Sequence, residues 1–372
     1  MQSRREVIRS LGQSIGALAV AGACTRWMTG CGTGSRGTRV VGYISADDVL
    51  AREVLAACAR ATGVEVDAVY DTEATKTTAL ENRIRAERDR PRADFFWSSE
   101  GFAAVRLAAD GLLAELPEPL WSAWPEAHRD GARRWLAFAA RARVVVARKA
   151  SAASASSASS PAPIAQWSDL AASDRKVAGS GAAQSISIAI ADPRFGTTNG
   201  HLAALEQAWG AAALDAWLDG LRANGVRVLP GGNAATVDAV AGGECTYGLT
   251  DSDDALAAIE RGLPLEMFVP RTLAAGSAGG GTMLTPNTVS LIANAPGNRA
   301  AAEKVVAWLV SPECEELIAR SPSRNLPLGP KARVAAAPFA EPDPLRFDVA
   351  RASERAMQVA VAAKNRLEGK RA

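Results

Sequence analysis

Four short stretches of the sequence carry the side chains with which chemistry could be done. They are Ser45-Ala46-Asp47-Asp48, Asp71-Thr72-Glu73-Ala74-Thr75, Ser98-Ser99-Glu100 and Thr250-Asp251-Ser252-Asp253-Asp254. Carboxylates brought together in one place favour a cation, because hard oxygen ligands suit Fe³⁺, Mn²⁺, Mg²⁺ or Ca²⁺ and because the cation relieves their mutual repulsion. An organic cation such as a polyamine would meet the same side chains. A fifth stretch, Phe195-Gly196-Thr197-Thr198-Asn199, opens a predicted helix, where unpaired N–H groups and the helix dipole favour an anion. Lys76, Arg194 or Arg324 could add positive charge there. Each acidic stretch taken singly is also what a helix cap looks like, since Asp or Ser at a helix start stabilises it by about 1 kcal/mol. Their repeated position after apolar strand patterns, in both halves of the chain, joins them into one expected cleft at the carboxyl ends of the strands.

The elements that must position these stretches alternate strand and helix. Val40-Val41-Gly42-Tyr43-Ile44-Ser45, an amphipathic pattern over 48–61 stopped by Thr62-Gly63, and the strand pattern 64–70 make a βαβ unit. A helix over 75–89, broken at Pro91, leads to the apolar run 93–97, read as a buried parallel strand. Strands are further expected at 143–148, 176–178, 185–191, 247–250 and 288–292, with a return segment near 265–269 and helices over 201–223, 234–241, 299–310 and 313–320. The architecture is therefore α/β. At 372 residues and 48% apolar content the chain exceeds one usual core, so two lobes are expected. The low-complexity Ser/Ala/Pro stretch 151–163 is a surface loop near a crossover between them.

Composition excludes several classes of function. No GxSxG, HExxH or P-loop pattern occurs, and the two histidines, His128 and His201, lie in unrelated contexts, so no catalysis and no catalytic cofactor are expected. The 42 basic and 40 acidic residues give a formal charge of +2, with no basic tract beyond the extreme N-terminus, so no nucleic-acid partner is expected. Cys58, Cys245 and Cys314 have neither CxxC nor Cys/His spacing and read as small buried hydrophobes.

The N-terminus is an export signal by its layout. Ser3-Arg4-Arg5-Glu6-Val7-Ile8-Arg9 precedes an uncharged Ala/Gly/Leu run that ends at Cys24 and is shorter than the roughly 20 residues of a bilayer-spanning helix, which is the twin-arginine pattern. Met28-Thr29-Gly30-Cys31 resembles a lipobox, which makes Cys31 the expected lipidation site; Cys24, after Ala21-Gly22-Ala23, is its rival, and plain cleavage to a soluble periplasmic form is the alternative to both. Acyl chains on Cys31 would hold the protein at the outer face of a membrane.

At the acidic loops the sequence resembles the family 1 extracellular solute-binding proteins, in the branch close to the ferric-iron-binding periplasmic proteins. The likeness runs from about Val40 to Pro327 through residues 69–78, 93–97, 194–200, 248–254 and 321–327. It implies a two-lobed, hinge-bending periplasmic binding protein fold of type II character. Lobe 1 would take 40–145 with roughly 275–330 returning to it, lobe 2 would take 146–274, and 331–372 would form a C-terminal helical segment. The resemblance further implies an ABC importer, with permease and ATPase subunits as partners, a monomeric receptor, and iron(III) or another metal ion as transported ligand. The family's histidine position falls on Asp47, its glutamate on Ser99 or Glu100, and its tyrosine pair on Asp253 and Asp254. Asp47, Glu100, Asp253 and Asp254 are thus the expected metal set, with Thr72, Glu73, Ser99, Thr197 and Thr198 as further ligand contacts. The missing phenolates put iron in question, and an organic ion, a polyamine or a phosphonate-like anion, is the alternative cargo.

Overall fold

The structure, a computed structural model, describes residues 38–71, 78–149, 161–172, 186–194, 196–332, 341 and 343–370. The first elements are β1 (Thr38–Ser45), α1 (Asp48–Thr62) and β2 (Val64–Tyr70), with β1 and β2 parallel as a βαβ unit requires. Ala51, Val54, Leu55 and Cys58 form the buried stripe of α1 at helical spacing. The helix stops at Gly63, whose φ of 70° is left-handed and whose N–H caps the Ala59 carbonyl. Then come α2 (Thr78–Ala86), β3 (Phe95–Ser98), α3 (Gly101–Ala109), β4 (Leu113–Ala114), α4 (Glu118–Ser122) and the long β5 (Leu136–Arg148). The remainder is β6 (Ile188–Ala191), α5 (Gly196–Trp209), α6 (Ala211–Ala223), β7 (Val226–Leu229), α7 (Gly232–Ala241), β8 (Tyr247–Asp251), α8 (Ser252–Glu260), β9 (Leu265–Phe268), β10 (Leu284–Ile292), α9 (Arg299–Leu309), α10 (Pro312–Arg320) and α11 (Val349–Leu367).

The strands run in the order β2-β1-β3-β10-β5-β8-β6-β7, with β4 against β10 and β9 against β5. β5 organises this path. Its first half, from Leu136 to Ala142, pairs antiparallel with β10, and its second half, from Arg143 on, pairs with β8 and β9. Each half has its own core. Val40, Ile44, Phe95, Trp97, Leu291 and Val305 pack on one side of the crossover, whereas Ile188, Ile190, Leu205, Trp217, Leu221 and Leu249 pack on the other. β5 and β10 therefore join two lobes, and the ends of β1, β3 and β8 open toward the space between them.

The elements α3, β4, α4 and β7 were not expected from the sequence, β6 and α2 are shorter than expected, and β5, α5 with α6, and β10 differ for local reasons. β5 begins at Leu136 and not at 143, because Arg141 and Arg143, which interrupt the apolar run, are buried all the same. The helix expected over 201–223 is two helices, α5 starting earlier at Gly196, separated by Gly210 with φ 87°. β10 begins at Leu284, ahead of Pro286, and its register against β5 shifts between Pro286 and Asn287, where a proline without an N–H can be accommodated. The strand expected at 176–178 and the N-terminal signal with Cys31 lie outside the described residues.

The C-terminal helix touches both lobes. Val359, Ala363 and Leu367 of α11 join the second core, while Ala352 and Ala356 pack with Ala203 of α5 around Phe102 of α3. Among the described residues, no helix is long and apolar enough to cross a membrane. Cys58, Cys245 and Cys314 are buried free thiols, as their surroundings in the sequence suggested.

Candidate functional site

A cleft of about 530 Å³ lies where the two lobes face each other, a volume in the range of small-molecule sites. From the first lobe it is lined by Asp47 and Val49 at the start of α1, Ser99 and Glu100 after β3, Asn287 of β10, and Ser321, Ser323 and Asn325 after α10. From the second lobe come Thr197 and Thr198 of α5, Asn233 of α7, and Asp251, Asp253 and Asp254 at the junction of β8 and α8. Arg141 of the crossover strand lies between the two sets.

The centre of the cleft is a buried ion cluster. Arg143 and Asp251 face each other across the β5–β8 ladder, and Arg143 Nη1 donates to Asp251 Oδ1 at 2.6 Å. Arg141, two residues along the same face, donates from Nε to Asp251 Oδ2 at 2.9 Å and from Nη1 to the Ser99 carbonyl of the opposite lobe. Thr197 Oγ1 and Asn233 Nδ2 donate to the same carboxylate oxygen at 2.6 and 2.9 Å. Burial alone would push the Asp251 carboxyl up, but the Arg143 and Arg141 guanidiniums and the Thr197 hydroxyl outweigh it and hold the group down at about 2. The same carboxylate, chiefly, keeps Arg141 firmly protonated against its own burial.

Arg143, fully buried behind the cleft wall, has more donors than this cluster uses: its Nε and Nη2 have no hydrogen-bond partner, and neither has Thr198 Oγ1, which does line the cleft. Thr198 is 1% exposed and lies in the first turn of α5, where the backbone N–H groups have no intrahelical acceptor. This end of the cleft offers hydrogen-bond donors and positive charge.

The acidic residues of the cleft serve different purposes. Asp47 is the N-cap of α1, its Oδ1 accepting from the Val49 and Leu50 N–H groups at 3.1 Å. Glu100 caps α3 with both oxygens, accepting from Phe102 N at 2.7 Å and Ala103 N at 3.0 Å. Burial raises the Glu100 pKa, with Arg106 opposing the shift at 3.5 Å. Asp253 and Asp254 occupy the first turn of α8, where negative charge complements the helix dipole, and Asp253 lies 3.6 Å from Arg141 Nε. One oxygen each of Asp251, Asp253 and Asp254 lies within 4.8 Å of the others, close enough for one cation to touch all three.

The fold thus gathers Asp47, Ser99, Glu100, Thr197, Thr198, Asp253 and Asp254 around one cleft. Thr72 and Glu73, also expected there, fall outside the described residues. Arg141, Arg143, Asn233, Asn287 and Asn325 were missed. The arginines had left a signal: two charges at alternate positions of an apolar strand point to one face, and burial there requires a counter-charge.

The family model described as bacterial extracellular solute-binding protein matches residues 53–344. No curated protein matches the chain. Among solved structures, the iron-bound HitA of Pseudomonas aeruginosa is similar at 21% identity and a TM-score of 0.70, over 88% of this chain and 99% of that one. The Bordetella ferric binding protein is 22% identical, with a TM-score of 0.68, over 88% and 98% of the two chains. The periplasmic binding protein AfuA of Actinobacillus pleuropneumoniae, solved with exogenous fructose-6-phosphate bound, is 20% identical with a TM-score of 0.69, over 88% and 97%. At such identities the likeness establishes the two-lobed binding-protein fold.

Proposed function

The chain belongs to the bacterial extracellular solute-binding proteins, and from that premise we propose that it is the receptor of an ABC importer whose cleft receives a small organic ion bearing an anionic group. The observation that carries the choice of ligand is the burial of two guanidiniums, Arg141 in the cleft wall and Arg143 behind it, around one Asp251, with Thr198 Oγ1 of the lining still lacking a partner. A carboxylate or phosphate-like group would engage the start of α5 and the Arg141 edge. Ammonium or hydroxyl groups elsewhere on the ligand would meet Asp253 and Asp254. The cleft volume also suits a molecule better than a bare ion, since a water fills only about 30 Å³.

A second reading, a hard metal cation with iron(III) foremost, is favoured by the convergence of Asp251, Asp253 and Asp254 and by the likeness in fold to the iron-bound HitA and the Bordetella ferric binding protein. In this reading Asp47 and Glu100 would approach from the other lobe as it closes. In either case the partners are permease and ATPase subunits, and export followed by lipidation at Cys31 would keep the receptor beside them.

The test is native mass spectrometry and metal analysis of the protein taken from its own cell envelope, followed by calorimetry with the ligand found. One equivalent of an organic ion without metal, and at least tenfold weaker binding by Thr198→Val, is the expected result. One equivalent of iron, lost in the double variant Asp253→Asn with Asp254→Asn, would establish the second reading instead.

A further inference from the structure

The acidic triad has the spacing of a metal pocket but not its electrostatics. A metal held by Asp251 bonds one of its two oxygens at roughly 2.0–2.6 Å. Oδ2 already has Arg141 Nε at 2.9 Å, and Oδ1 has Arg143 Nη1 at 2.6 Å. Whichever oxygen is used, adding the bond length to the hydrogen-bond distance leaves the ion at most about 5.5 Å from a guanidinium nitrogen. Arg141 Nε also lies 3.6 Å from Asp253 Oδ2, so one guanidinium nitrogen is within ion-pair distance of two of the three carboxylates that the ion would need. Arg141 and Asp251 side chains are only 8% and 2% exposed, so water screens this repulsion little. Nor can the guanidinium move aside freely, since Nη1 is held by the Ser99 carbonyl of the other lobe.

We infer that Arg141 is a specificity-determining residue: its guanidinium serves as the built-in cation of the Asp251–Asp253 pair, shuts bare metal ions out of the acidic triad, and leaves the cleft to organic ligands. The inference deepens the organic-ion reading and rests on it. It also makes Arg141 a link between lobes, because one side chain binds Ser99 of the first and Asp251 of the second.

The experiment titrates Mn²⁺, Ca²⁺ and citrate-buffered Fe³⁺ into the metal-free full chain and its variants, by calorimetry and by metal analysis after gel filtration. Wild-type protein should retain no metal. Arg141→Gln, which keeps hydrogen-bonding capacity but removes the charge, should gain at least about tenfold in metal affinity, and adding Asp253→Asn should cancel the gain. Arg141→Lys, keeping the charge, should exclude metal as wild type does. Stoichiometric metal binding by wild type that falls in Asp253→Asn overturns the inference, and so does an Arg141→Gln protein that folds, by circular dichroism, and gains nothing. If Arg141→Gln does not fold, the Asp253→Asn variant of the otherwise native protein still decides: unchanged and negligible metal retention supports the inference, whereas a loss of retention refutes it. The organic-ion reading fails separately, through the identity of the ligand that copurifies with wild type.

Discussion

The ring of Phe102, on α3 of the first lobe, fills the space beside Gly200, on α5 of the second: a Cβ on Gly200 would lie 2.8 Å from Phe102 Cε2. Phe102 is 6% exposed and is further enclosed by Ala203, Ala352, Ala356 and Phe347. Glycine inside a helix costs up to about 1 kcal/mol relative to alanine, so its presence here is explained by the ring and not by the helix. Gly200→Ala should therefore destabilise the protein by about 1–3 kcal/mol through overpacking. In a Phe102→Ala background the same substitution should be neutral or stabilising, and urea unfolding of the two singles and the double measures this coupling.

Asp251→Asn should be among the most damaging single substitutions in the chain. It leaves Arg141 and Arg143 buried without their shared counter-charge, which costs about 3–5 kcal/mol. Thermal unfolding monitored by circular dichroism would show the loss, and a shift no larger than that of Asp48→Asn on the surface would contradict the account.

Acid should weaken the fold through carboxyls held low. Asp251, and Asp192 between Arg194 and Lys364, each have pKa values near 2 in the folded protein, against about 3.9 for an unperturbed Asp. For Asp192, burial acts upward and the hydrogen bonds from Arg194 and Lys364 overcome it. Both groups contribute stability in full above about pH 4, and that contribution is lost as pH falls toward 2. Urea unfolding at pH 5 and pH 3 should show lower stability at pH 3, and Asp192→Asn should reduce the difference.

Glu315 is a buried carboxylate that accepts only backbone N–H groups: Ala139 at 3.0 Å, Leu328 at 2.7 Å and Gly329 at 2.7 Å. It thereby ties the crossover strand to the segment that carries Asn325 into the cleft. Glu315→Gln replaces one acceptor oxygen by a donor facing an N–H and should cost about 1–3 kcal/mol. Hydrogen exchange should show faster opening at Ala139, Leu328 and Gly329 before it does elsewhere.

Ligand contacts divided between lobes favour a closed arrangement over an open one. Small-angle scattering with the copurifying ligand at saturation should show a smaller radius of gyration than the empty protein. An unchanged radius would mean that the ligand sits on one lobe alone.

Local order was legible in the sequence because it is set by neighbours in the chain. The alternation of Val64–Tyr70, the stripe of α1 with its Gly63 stop, and the polar loops after β1, β3 and β8 all follow from periods of two and of 3.6 and from capping chemistry. Two lobes followed from length and apolar content, and the cleft followed from where the polar loops recur. The partnership at its centre did not. Arg141 and Arg143 lie 110 and 108 residues from Asp251, and only the placement of β8 beside β5 brings them together. In the linear chain Asp251 is one of several acids in a row and the arginines look like breaks in a strand, because the cost of a buried charge is fixed by what surrounds it in space. The capping by Asp47 and Glu100 is local and was legible as a possibility, since their carboxylates accept from N–H groups two and three residues on; sheet order decided only that both also line the cleft. The sequence by itself determined which polar loops could meet in a cleft; the tertiary structure decided which further residues, Arg141 and Asn233 among them, join these loops and which charges are already spent on one another, since electrostatic pairing depends on distances that the order of residues does not contain.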